Sequence, residues 1–191
     1  MSDSGTEVRV TPSQLAREAP VSALLQAAQV LQEERAAVHR LFQVGFVEYV
    51  QDNDEDIFGK LIDEATKYFK RIASDFDVLI RRFSEVAEKN EEHAALFRES
   101  AQLLRRVADA EKLKLHAVLS LQRELVRHQA THDVRLRDRP FQAWLTLLPS
   151  AKALRQEELT ADSEIAELMR EVRELSDELA ESVQGATPAT N

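Results

Sequence analysis

Residues 58–86 read FGKLIDEATKYFKRIASDFDVLIRRFSEV, and this stretch decides the fold class. Phe58, Ile62, Ala65, Phe69, Ile72, Phe76, Leu79, Phe83 and Val86 recur in alternating steps of four and three. That spacing puts all nine on one stripe of an α-helix, in the heptad rhythm that seats side chains against neighbouring helices. Four phenylalanines on one stripe predict the central apolar plank of a helical bundle.

Working toward the N-terminus, Leu24, Ala28, Leu31, Arg35, Val38, Phe42, Gly45 and Tyr49 repeat the pattern and predict a helix from Pro20 to about Gln51. Pro20 suits a first helical turn, where its missing N–H costs nothing. The acidic run Asp52 to Asp56 divides the two helices and fits the start of the second, because unpaired N–H groups at a helix N-terminus favour negative charge. Toward the C-terminus, Phe97, Ala101, Leu104, Ala108, Glu111, Leu115, Val118, Gln122 and Leu125 define a third helix over about 92–132, roughly 60 Å long at 1.5 Å per residue. Ile165, Leu168, Val172, Leu175 and Leu179 mark a C-terminal helix over about 161–183. No useful period-two alternation occurs, so no sheet is expected.

The expected architecture is all-α: an antiparallel bundle of three long helices with coiled-coil-like packing over residues 20–132, preceded by a flexible arm, 1–19. A linker over 133–160 carries a short apolar segment, followed by an acidic helix, 161–183, and a frayed tail, 184–191. From Arg98 to Arg139 there are ten basic and six acidic residues, whereas Glu157 to Glu181 holds ten acidic and two basic. Opposite charge can align the third helix with the C-terminal one, within a chain or between chains.

Composition narrows the function. The 191 residues contain no cysteine, which removes disulfides, thiolate ligands and cysteine nucleophiles. The net charge of −9 disfavours broad contact with phosphate backbones. No stretch approaches a transmembrane span and no secretory signal is apparent, so an intracellular site, nucleus or cytoplasm, is expected. His128 and His132 share a helical face, but they lack a third ligand, and no histidine has Glu three residues before it. Asp52 to Asp56 lacks the glycine and spaced glutamate of a calcium loop. No cofactor, metal site, small-molecule substrate or catalytic residue is indicated, and the chain reads as a non-enzyme.

Two polar residues fall on the third helix's inward seam, Glu111 and Gln122, and each needs a partner if buried. The expected reading is a bundle edge where long polar chains reach water; the alternative is a buried Glu111 paired with Arg35 on the first seam. Phe141, Trp144 and Leu148 concentrate apolar area between Pro140 and Pro149, suited to anchoring a partner or capping the chain's own bundle. Arg98, Arg105, Arg106, Lys112 and Lys114 read as a basic face along one side of the third helix.

The block Glu111-Lys112-Leu113-Lys114-Leu115-His116-Ala117-Val118-Leu119 resembles a eukaryotic family of small proteins named for a green-algal protein required for excision repair, B type. Gln32-Glu33-Glu34-Arg35, Leu41-Phe42-Gln43-Val44-Gly45-Phe46-Val47-Glu48-Tyr49 and Glu64-Ala65-Thr66-Lys67-Tyr68-Phe69 are similar too, so the likeness spans about 24–125. His116 and Ser120 stand where family members tend to have Thr and Gln. The resemblance implies a nuclear role near ultraviolet-damage repair, carried by a non-catalytic accessory protein, and brings no catalytic or cofactor residues.

The leading expectation is a helical adaptor for protein–protein interaction in DNA repair, with a protein partner or self-association. Two other readings stay open: a structural coiled-coil subunit of a larger, even cytoskeletal, assembly, and a weak DNA-binding accessory using the basic face.

Overall fold

The computed structural model describes residues 11–18, 20–52, 54–132, 143 and 148–185. These form a short helix α1, Pro12–Glu18, and four long ones: α2, Leu24–Asp52; α3, Glu55–Lys89; α4, Ala94–His132; and α5, Pro149–Gly185. A 3₁₀ turn, Val21–Ala23, leads into α2. Among the described residues there is no strand, and no helix is long and apolar enough to cross a membrane.

Local chemistry explains the boundaries. Asp54 caps α3 by accepting from the backbone N–H of Ile57 at 3.0 Å, with Glu55 and Asp56 in the first turn, as the acidic run suggested. At the other end Asn90 stops α3: its backbone N–H reaches Val86 O at 3.0 Å, while its side chain accepts from His93 N at 3.3 Å to start the next turn.

Two boundaries differ from the sequence expectation. The arm 1–19 was expected to be flexible, yet residues 12–18 form α1, which packs against α2 and α3 with Ala16 fully buried. The cause is a capping box: Thr11 Oγ1 accepts from Gln14 N at 3.3 Å and Gln14 Oε1 accepts from Thr11 N at 2.9 Å. Pro12 fills the first helical position, where no N–H is needed. The C-terminal helix begins at Pro149, twelve residues before the expected 161. Pro149 opens α5 rather than closing the preceding segment, and Lys152 N donates to Leu148 O at 3.0 Å. The expected short apolar helix, with Phe141 and Trp144, lies outside the described residues, as does basic segment 135–139.

Packing follows the stripes. Phe69, Ile72, Phe76, Leu79 and Phe83 are buried between α2 and α4, and every heptad residue of α5, from Ile165 to Leu179, joins the same core. α5 packs mainly along α4, in its own chain. The α3 stripe drifts at its start, because a 3.6-residue turn falls behind a 3.5-residue repeat. Ile62 is 39% exposed, and Leu61 instead presses on Gly45, where an added Cβ would clash with Leu61 Cδ2.

A second, smaller cluster gathers Phe46, Val50, Leu121, Leu125 and Ala151, with half-buried Leu148 and Phe58 against it. Phe58 stacks on Tyr49 at 4.4 Å between centroids and meets Phe46 at 5.8 Å. The Phe-x-x-Gly-Phe-x-x-Tyr block therefore builds the elbow between α2 and α3. Its glycine admits Leu61, and its aromatics close around Phe58.

Candidate functional site

The inward polar residues converge. Glu111 on α4 is fully buried, and α2 supplies its partners one turn apart: Gln32, Arg35 and His39. Arg35 Nε lies 3.2 Å and His39 Nε2 3.4 Å from Glu111 Oε2, and the Gln32 amide donates to Oε1. The Arg35 and Glu111 side chains are 4% and 1% exposed, so the pair lies in the core and not at an edge where long chains reach water. Spacing explains the convergence, since residues 32, 35 and 39 share one helical face.

The electrostatics are unequal. Burial raises the Glu111 carboxyl, but the close approach of His39, the Arg35 charge and the Gln32 amide more than offset it, holding the group below the ordinary carboxylate range. Burial lowers the Arg35 guanidinium, and Glu111 only partly restores it. The His39 ring leans on Phe69, 4.6 Å between centroids and tilted by 52°, which fixes its orientation.

His39 also lines a cleft of about 280 Å³ where α2, α4 and α5 meet. Phe46, Val118 and Leu121 form apolar walls; Arg40, Gln43 and Gln122 contribute polar ones. Lys114 Nζ pairs with Asp162 at 2.6 Å, and Arg155 with Glu158 at 2.5 Å. Gln122 is 8% exposed, and its amide opens on the cleft and is not among the buried unpaired groups of the described residues.

A second buried carboxylate, Asp75 on α3, accepts from Ser13 at 2.5 Å and pairs with Arg71 at 3.5 Å and Arg17 at 3.8 Å. Arg71 also bonds Glu34 of α2. This cluster ties α1 to the bundle. Its only sequence signal was an inward Asp75 one residue before Phe76.

The residues expected to bind a partner separate. Arg98, Arg105 and Lys112 are exposed at seven-residue intervals along α4. Arg106 and Lys114 turn toward α5, where they pair with Glu171 at 3.5 Å and with Asp162. A shared basic face of all five is thus corrected to a line of three: eight residues advance a helix by about two and a quarter turns, so residues 106 and 114 leave the line of 98, 105 and 112. Lys112 is itself paired with Asp109 at 3.0 Å. Leu148 packs on the second cluster, whereas Phe141 and Trp144 lie outside the described residues. Among the described residues no group of three His, Asp or Glu side chains is placed to hold a metal ion.

The family described as DNA repair REX1-B matches residues 23–124. No curated protein and no solved structure matches the chain. The matched span runs from the start of α2 almost to the end of α4 and holds Gln32, Arg35, His39 and Glu111; α1 and α5 lie outside it.

Proposed function

This chain belongs to the DNA repair REX1-B family, and on that premise we propose that it serves DNA-damage repair as a non-catalytic helical adaptor that binds a protein partner. The observation that carries this reading is how the family-matched segment uses its polar residues. Gln32, Arg35, His39 and Glu111 are engaged with one another in holding α2 to α4, and Arg98, Arg105 and Lys112 are left outward as a line along α4. Glu34 with Arg71 and Gly45 with Leu61 run in opposite chain senses, which supports an antiparallel α2–α3 pair in the frame behind that line. A nuclear site of action goes with the reading.

The direct DNA-contact reading ranks lower, because two of its five cations are paired with α5 carboxylates. Three phosphate contacts predict a salt slope of only about −2.7. The structural-subunit reading ranks lower too, since the α5 heptads lie on their own chain's α4.

Cells lacking the protein and irradiated with ultraviolet light test the proposal. Slower removal of photoproducts, restored by the wild type and not by a folded Arg98→Glu, Arg105→Glu, Lys112→Glu triple variant, is the expected result. Unchanged removal in the deficient cells sinks the repair role; rescue by the triple variant sinks the adaptor line.

A further inference from the structure

We infer that the cleft between α2, α4 and α5 is a binding site for a small monocarboxylate carried on an apolar body. The inference stands apart from the adaptor reading, because it uses other side chains. Gln122 is its first support: a residue only 8% exposed that lines the cleft with its amide unpaired among the described residues and open to the cleft. An amide that reaches solvent only through the cleft can exchange that water for a ligand's polar group.

Charge defines that partner. Three cations and two carboxylates line the cleft. Lys114 is matched by Asp162 and Arg155 by Glu158, so one positive charge is left, on Arg40, which makes no ion pair among the described residues. Exposed at the cleft, that guanidinium can take one negative charge, and its planar fork fits a carboxylate. Arg40, Gln43 and Gln122 offer N–H donors in the lining, while Ala36, Phe46, Val118 and Leu121 offer apolar surface. A ligand with an oxyanion head and a short hydrocarbon body matches both, and the volume of about 280 Å³ admits one of a few carbons to about eight.

Full-length protein titrated with sodium octanoate, followed by calorimetry and amide chemical shifts, tests the site. The expected result is saturable binding, with shifts at Ala36, Val118 and Leu121, and binding at least about tenfold weaker for 1-octanol and for inorganic phosphate. Arg40 is exposed, so Arg40→Ala keeps the fold and weakens octanoate about tenfold or more, while Arg40→Lys loses less. N-acetyl-leucine, compared with octanoate, tells whether the carboxylate belongs to a peptide C-terminus or to a free acid. Absence of saturable binding by either carboxylate, phosphate binding as tightly as octanoate, or full affinity in Arg40→Ala each overturns the inference and leaves a cleft that holds only water.

Discussion

Glu111 and Asp75 are both fully buried carboxylates on long helices, and they are partnered in opposite ways. Glu111 is held by three residues of one helix, two of them, Arg35 and His39, buried like itself. Asp75 is reached from the surface: the Arg17 and Arg71 side chains that approach it are 63% and 32% exposed, and Ser13 comes from the short α1. The first site lies inside the family-matched span and joins α2 to α4; the second attaches α1, which lies outside that span. A buried charge with buried partners is a commitment of the whole core. One fed from the surface can lose its partner while the core survives.

The largest effect expected from this contrast is at Arg35. Arg35→Leu leaves Glu111 charged and buried without its cation, and costs about 3–5 kcal/mol in urea unfolding. Adding Glu111→Leu to the same chain recovers most of the loss, since two apolar residues can replace a buried pair at little cost. A loss no greater than that of Asp75→Ala breaks the comparison.

Acid reads the same pair without a cavity. Because the folded Glu111 pKa is depressed, its contribution is present above the unfolded value, near 4.5, and is lost as pH falls through the lower folded value. The wild type should lose stability more steeply below pH 4.5 than Glu111→Gln, measured as melting temperature against pH. Equal slopes would remove Glu111 from the account of acid sensitivity.

Asp75→Ala comes next, at about 1–3 kcal/mol. Its signature is local: hydrogen exchange rises across Pro12–Glu18 while amides around Phe76 and Phe83 stay protected. Thr11→Ala removes only the capping box and costs about 0.5–2 kcal/mol, with the same local signature. Smallest is Arg98→Ala on the exposed α4 line, within about 0.5 kcal/mol of the wild type by thermal unfolding. A large loss there would mean that the line serves packing and not a partner.

Much of this was legible in the sequence. The Phe69–Phe83 stripe and the α5 heptads are buried where the three-four spacing puts them, and Arg35 meets Glu111 because both occupy seam positions. Other features carried a signal that was missed. Thr11-Pro12-Ser13-Gln14 spells a capped helix start, yet a helix of seven residues has too little stripe to be seen by periodicity. Pro149 reads equally as the end of one segment or the start of another, because proline is tolerated at the first helical turn and disfavours α-geometry in the residue before it. Arg106 and Lys114 looked like neighbours of Arg98 until helical rotation carried them to α5.

By itself, the sequence determined that helices form, which stripe each buries and that Arg35, Glu111 and Gln122 fall on those stripes. Those properties depend on residues a few positions apart on one helix. Only the tertiary structure decided that Gln32 and His39 join Arg35 at Glu111, that Asp75 receives α1, and that a cleft opens where α2, α4 and α5 meet. Each of these depends on where one helix stands along and around another. A seam repeating every seven residues leaves that offset open, until the close contact at Gly45 and the buried charges select one register.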